Sequence, residues 1–189
     1  MPIKIYIDQG HNPRDFNTGA EGNGYFEQDI TYEIGVRLYR LLSENPEFTP
    51  RLSRPTPDTI LGTSNSSSLT ARVREANAWG ADIFLSLHTN AALNPNATGS
   101  EALVYSVQSS VAAPIAEDIL YQLTLVTGLR NRGLVARPGL YVLRRTAMPA
   151  VLVEMGFISN ARDAELMANS PGLFALGIYR GILQYYGLL

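Results

Sequence analysis

Cysteine is absent from the 189 residues. That excludes a disulfide framework and every thiolate metal site, so a bound metal would need histidine and carboxylate ligands. Histidine is nearly as scarce, with only His11 and His88 in the chain. There is no basic surplus either: 15 Lys and Arg stand against 17 Asp and Glu. Neutralising a phosphate backbone requires the opposite balance, so nucleic acid is disfavoured as a partner. Long uncharged apolar runs are missing as well. The one stretch that invites a membrane reading, GLFALGIYRGILQYYGLL, carries Arg180 at its centre, where a bilayer would penalise it by roughly a few kcal/mol. A helix buried against the domain is expected there instead. The opening MPIKIYID lacks the basic and apolar regions of a signal peptide and reads as a strand.

What is present is ordinary for a globular domain: 46% apolar and 17% charged residues, in a chain long enough for one sizeable core but short for two. One domain over residues 1–189 is expected. Ile3–Asp8 alternates in the manner of a strand. Ile30, Ile34, Leu38 and Leu41 repeat at the spacing of one helical face, ended by Asn45-Pro46. FTPRLSR reads as an edge strand because of Pro50, and the turn-rich segment from Arg54 to Leu69 as a flexible surface loop. LTARVREANAWG is expected to be helical with Gly80 as its stop. DIFLSLH and SEALVYS read as strands, and VAAPIAEDILYQLTLVTG as a helix with Pro114 in its first turn. LYVLRR and PAVLVEMG are expected to be two further strands, the second ending on Glu154, followed by helices over Asp163–Ala168 and Gly172–Tyr186. Alternation of this kind predicts an α/β fold with helices on both faces of the sheet.

In open α/β sheets, sites gather beyond the carboxyl ends of strands. His11, His88 and Glu154 each fall at or just past such an end. Two histidines with one carboxylate can bind zinc and leave a position for water, whose pKa the metal lowers towards about 7. The chemistry also needs a carboxylate near the metal but not on it, to relay the water proton. Glu154 is the candidate, although it could instead pair with Arg144, Arg145 or Arg162. No HExxH or HxxEH motif occurs, so spacing alone does not establish zinc.

Four blocks carry a more specific signal: IDQGHN, EQDITYEIGVRLYRLL, LTARVREANAWGADIFLSLHTNA and RGLVARPGLYVLRRTAMPAVLVEMGFISN. In this order they resemble the amidase-3 family of zinc-dependent N-acetylmuramoyl-L-alanine amidases, across essentially the whole chain. The resemblance implies a single domain with a mixed, mostly parallel sheet of about six strands between helices, of the zinc-exopeptidase type. It implies one zinc per chain held by His11, Glu27 and His88, with Glu154 as the catalytic glutamate. Glu27 comes from the resemblance alone, and Asp29, two residues on, is its rival. The implied reaction is hydrolysis of the amide between N-acetylmuramic acid and L-alanine of peptidoglycan, at the bacterial cell wall, with no membrane span. A stem-peptide carboxypeptidase or endopeptidase, or a non-catalytic wall-binding module, is the alternative. Asn90 is a candidate substrate contact, and Glu101 could orient a histidine ring. Arg72 and Asn77 match the family but more plausibly hold the fold. The chain departs from the family at Asn12-Pro13, where glycine is frequent, so the loop near His11 is expected to differ in shape.

Overall fold

The structure is a computed structural model that describes residues 1–108 and 111–189. The chain opens with β1 (Ile3–Gln9), followed by a two-strand hairpin, β2 (Glu21–Gly22) and β3 (Tyr25–Phe26), that leads into α1 (Glu27–Ser43). Then come β4 (Phe48–Leu52), α2 (Asn65–Trp79), β5 (Ile83–Asn90), β6 (Ser100–Val104) and α3 (Ala113–Thr127). The last third holds β7 (Asn131–Ala136), α4 (Tyr141–Arg145), β8 (Ala150–Phe157), α5 (Ala161–Asn169) and α6 (Pro171–Tyr185).

Six strands form the main sheet in the order β4-β1-β5-β8-β6-β7. The first four run parallel, while β6 is antiparallel to β8 and carries β7 parallel to itself. Strand alternation sends Ile5, Ile7, Leu85, Leu87, Val151 and Val153 into one core, closed by α1, α3 and α6 through Ile34, Leu38, Ile119 and Ile178. Tyr6, Phe84, Leu103 and Leu152 face the other core, closed by Val73 and Ala76 of α2 and Val142 and Leu143 of α4. The expected α/β layering with helices on both faces is what the chain adopts.

The C-terminal apolar stretch is a packed helix. An added Cβ would stand 2.7 Å from the Leu123 Cα at Gly177 and 2.3 Å from the Ile119 Cα at Gly181. These two glycines therefore let α6 lie directly against α3, and Arg180 donates to the Gln122 Oε1 at 3.1 Å. Among the described residues no helix is long and apolar enough to cross a membrane.

Three local readings need correction. LYVLRR is not a strand: Tyr141–Arg145 is a short helix that buries Val142 and Leu143, and a short apolar run does not by itself distinguish the two states. The strand in this region is NRGLVA, an edge strand bulged at Gly133 with φ 85°, so its pattern shows no alternation. Glu154 does not end its strand, because β8 continues to Phe157.

The segment before α2 also differs from a free surface loop. Its serines start the helix: the Ser64 side chain accepts from the Ser67 N–H, and the Ser67 Oγ accepts from the Ser64 N–H in return. This capping box satisfies two helix-end donors and begins α2 four residues before Leu69. Leu61 is tied to the Asn12 side chain by both its N–H and its C=O.

Candidate metal centre

The carboxyl ends of β1 and β5 supply the two histidines. The chain leaves β1 at Gln9, and Gly10 lies against β5 so closely that a Cβ would stand 2.6 Å from the His88 Cε1. Glycine is needed there for the His88 ring to occupy its place. His11 follows in a left-handed conformation, φ 70°, which turns the chain out of the strand direction.

The long polar loop then returns through the β2–β3 hairpin. Asn23 and Gly24 both have positive φ, 52° and 80°, the conformation favoured in two-residue hairpin turns, for which Asn-Gly is the strongest short-range signal. That hairpin delivers Glu27 as the first residue of α1, where the helix N-terminus favours a carboxylate. Glu27 is 3% exposed. Its Oε2 accepts from the Ala20 N–H at 2.8 Å and its Oε1 from the Thr89 N–H at 2.9 Å.

These elements converge. The Glu27 Oε1 lies 3.2 Å from the His11 Nε2 and 3.1 Å from the His88 Nδ1. One ligand atom from each of the three residues lies within 4.8 Å of the others. Tetrahedral zinc with bonds of about 2.0 Å separates its ligands by roughly 3.3 Å, so these two spacings fit an ion between the three groups. The His11 Nδ1 donates to the Asn17 carbonyl at 3.2 Å, which leaves the Nε2 lone pair of a neutral ring free for a metal. Asp29, the rival of Glu27, is exposed and lines a separate cleft with Tyr25, Glu33 and Met167.

Burial alone would raise the Glu27 pKa, but hydrogen bonds from the two histidines outweigh it and hold it well below the ordinary carboxylate range. Burial would lower the His88 pKa, and the Glu27 carboxylate outweighs that and raises it. A metal ion needs neutral histidine rings and an ionised carboxylate, so its binding here would depend on pH.

Glu154 sits beside the cluster on the same sheet face, paired in register with His88 of β5 and with Glu101 of β6. Among the described residues no arginine meets it, and its Oε2 is buried with no hydrogen-bond partner. Burial pushes its pKa up to about 7; the nearby His88 opposes the rise, while Glu27 and Glu101 add to it. An unpartnered buried carboxylate oxygen is costly in a purely structural role.

The remaining candidates separate. Glu101 does not orient a histidine: it accepts from the Asn90 Nδ2 at 2.9 Å and the Arg132 Nε at 3.2 Å. The Asn90 Oδ1 accepts from the Ala91 N–H. Asn77 binds the Arg145 carbonyl and the Ala147 N–H, holding the end of α4. Arg72 reaches the site from α2, donating to the carbonyls of Gln9 and His11 at 2.6 Å each. A cavity of about 100 Å³ borders the histidines, walled by Leu69, Leu140, Tyr141 and Leu152. Gly10 and Asn17 were not among the residues singled out from the sequence. A Gly immediately before a strand-end histidine, and an Asn within a polar loop, were the available signals.

Residues 5–184 match the sequence model of the Amidase_3 family, described as N-acetylmuramoyl-L-alanine amidase. The N-acetylmuramoyl-L-alanine amidase CwlM of Bacillus licheniformis is 40% identical over 95% of this chain and 65% of its own length. LytC of Bacillus subtilis (strain 168), of the same name, is 36% identical over 96% of this chain and 35% of its own length. The chain thus spans about two thirds of the first relative and about a third of the second. An N-acetylmuramoyl-L-alanine amidase crystal structure from Clostridium difficile 630 superposes with TM-score 0.87 at 29% identity, covering 98% of this chain and 97% of that one. The catalytic domain of CwlV from Bacillus (Paenibacillus) polymyxa var. colistinus gives 0.85 at 29% identity, covering 99% of each.

Proposed function

The chain belongs to the Amidase_3 family of N-acetylmuramoyl-L-alanine amidases, and on that premise we propose that this domain hydrolyses the amide joining N-acetylmuramic acid to L-alanine in peptidoglycan. Its place of action is the bacterial cell wall. The observation that carries the reading is the pairing of a His11–Glu27–His88 donor set with an unpartnered, buried Glu154 in register beside it.

The proposed ligands are the His11 Nε2, the His88 Nδ1 and the Glu27 carboxylate, for one zinc ion per chain. Bound there, zinc supplies Lewis acidity that polarises a carbonyl and brings the pKa of water towards about 7. The protein's own contribution centres on Glu154. With a pKa near 7 it exchanges a proton readily at neutral pH, the condition for an efficient general base that later acts as an acid. Glu154 takes a proton from the attacking water as oxygen bonds to the amide carbon. It returns that proton to the alanine nitrogen as the C–N bond breaks, leaving a muramyl carboxylate and a stem peptide with a free amine. Glu101, its charge met by Arg132 and Asn90, disfavours early ionisation of Glu154 from the neighbouring strand. Asn90 keeps one N–H available for substrate.

The test is digestion of purified peptidoglycan by the zinc-loaded protein, followed by mass spectrometry of the soluble products. Intact stem peptides beginning with free L-alanine are expected, and none with Glu154→Gln. Fragments cut within the stem peptide would overturn the reading in favour of a peptidase.

A further inference from the structure

The two histidines of the cluster are held in different ways. His88 projects from β5, a strand paired on both sides. His11 lies past the end of β1, in a loop where His11, Asp15 and Asn17 all take positive φ, 70°, 72° and 53°. Non-glycine residues keep such a conformation only where their surroundings over-determine it. Something outside the loop must therefore fix the aim of the His11 ring.

The hydrogen bonds identify it. The Asn17 carbonyl accepts from the His11 Nδ1 at 3.2 Å and from the Asn12 N–H at 2.9 Å. A carbonyl can only accept, so this contact sets the ring tautomer and directs the Nε2 lone pair towards the Glu27 Oε1. Asn17 is itself clamped by the first turn of α2. Its N–H donates to the Asn65 Oδ1 at 2.6 Å and its Nδ2 to the Ser68 Oγ at 3.0 Å. Asn65 is the first residue of that helix and Ser68 is fully buried.

We infer that Asn17, clamped by Asn65 and Ser68, is a positioning residue for the metal: it fixes the tautomer and aim of His11 from the N-terminus of α2. The inference rests on the reading of His11, Glu27 and His88 as zinc ligands. It gives the segment before α2 a role in metal affinity. Groups that hold a ligating histidine are worth about 10–100-fold in metal affinity.

The experiment compares wild type, Asn65→Ala and Asn65→Asp. Zinc affinity is measured by competition with a chromophoric chelator, ligand geometry by the visible spectrum of the cobalt(II)-loaded proteins, and folding by unfolding of the metal-free proteins. Asn65→Ala is expected to bind zinc about 10–100-fold more weakly and to alter the cobalt spectrum, with a metal-free unfolding midpoint close to wild type. Asn65→Asp keeps the acceptor and is expected to restore wild-type affinity and spectrum. Should Asn65→Ala fail to fold, Asn17→Gly serves instead: it keeps the carbonyl and tolerates the left-handed backbone, losing only the bond to Ser68, and a weakened affinity is again expected. Wild-type affinity and spectrum in the variant, or failure of Asn65→Asp to restore them, would overturn the inference. A wild-type protein that binds no zinc would instead remove the metal reading itself, and the inference with it.

Discussion

Asp8 and Arg72 form an ion pair at 2.5 Å with both side chains almost free of solvent, at 2% and 1% exposure. The same guanidinium donates to the backbone carbonyl of His11, while the other Asp8 oxygen accepts from the Ser86 hydroxyl at 2.7 Å. Burial alone would raise the Asp8 pKa, but the Arg72 charge and the hydrogen bonds from Arg72 and Ser86 together outweigh it and hold the carboxyl below its ordinary value. The pair thus joins β1, α2 and β5 beneath the histidine loop.

Arg72→Met would leave Asp8 buried and uncompensated. Removing one partner of such a pair costs roughly 3–5 kcal/mol, and denaturant unfolding of the metal-free protein is expected to show a loss of that size. Asp8→Asn in the same chain should recover part of it, since the stranded charge is gone. Additive losses in the double mutant would refute the coupling.

Gly10→Ala tests the packing of His88. The added Cβ would meet the Leu87 carbonyl oxygen at 2.5 Å and the ring at 2.6 Å. Overpacking of this kind costs about 1–3 kcal/mol, and the ring must move for the methyl to fit. Zinc affinity is expected to fall along with stability, read by chelator competition and by unfolding. Unchanged zinc affinity would show that the His88 ring position is not set by Gly10.

How much of this was legible in the sequence depended on how local the signal was. The alternation in IKIYIDQ and the two histidines at strand ends come from contacts within a few residues, and they located the edge where the site lies. Glu27 was reached only through the family resemblance, because its position is fixed by the Asn23-Gly24 hairpin and by the distant Thr89 N–H, which meets it across 62 positions. The Asn23-Gly24 dipeptide is visible in the sequence, but it lies inside a long polar loop where nothing marks it as a hairpin. LYVLRR is a helix rather than the expected strand because six residues hold too little periodicity to choose between the two. The Asn17–Asn65 contact crosses two loops and leaves no pattern in sequence.

The pH dependence of stability should report on Glu154. Its carboxyl ordinarily titrates near 4.5 and is raised to about 7 in the folded, metal-free chain. Between these values the unfolded chain gives up a proton that the folded chain keeps. The contribution of Glu154 is therefore fully present below pH 4.5 and is lost as pH rises through 7. Glu154→Gln abolishes that slope. At pH 8 the metal-free variant is expected to be more stable than wild type by on the order of 2 kcal/mol, with the gap closing below pH 4.5. Parallel stability curves from pH 4 to 8 would show that burial does not raise this group.

Metal addition should separate the proposed ligands from the proposed base. A ligand that binds only the folded state at 100 times its dissociation constant stabilises it by about 2.7 kcal/mol. For a chain of this size that corresponds to a rise in Tm of roughly 5–10 °C, and a strong chelator should reverse it. His88→Ala removes a nitrogen that lies 3.1 Å from the Glu27 Oε1, so the zinc-dependent rise should be lost or much reduced. Glu154→Gln keeps all three proposed ligands and should retain the full rise, while losing about 10²–10⁴-fold in turnover because no group relays the proton. Calorimetric scans with and without zinc, set beside turnover on peptidoglycan, make the comparison. If Glu154→Gln loses the zinc-dependent rise as His88→Ala does, Glu154 is a ligand and the division of roles between the two residues is wrong.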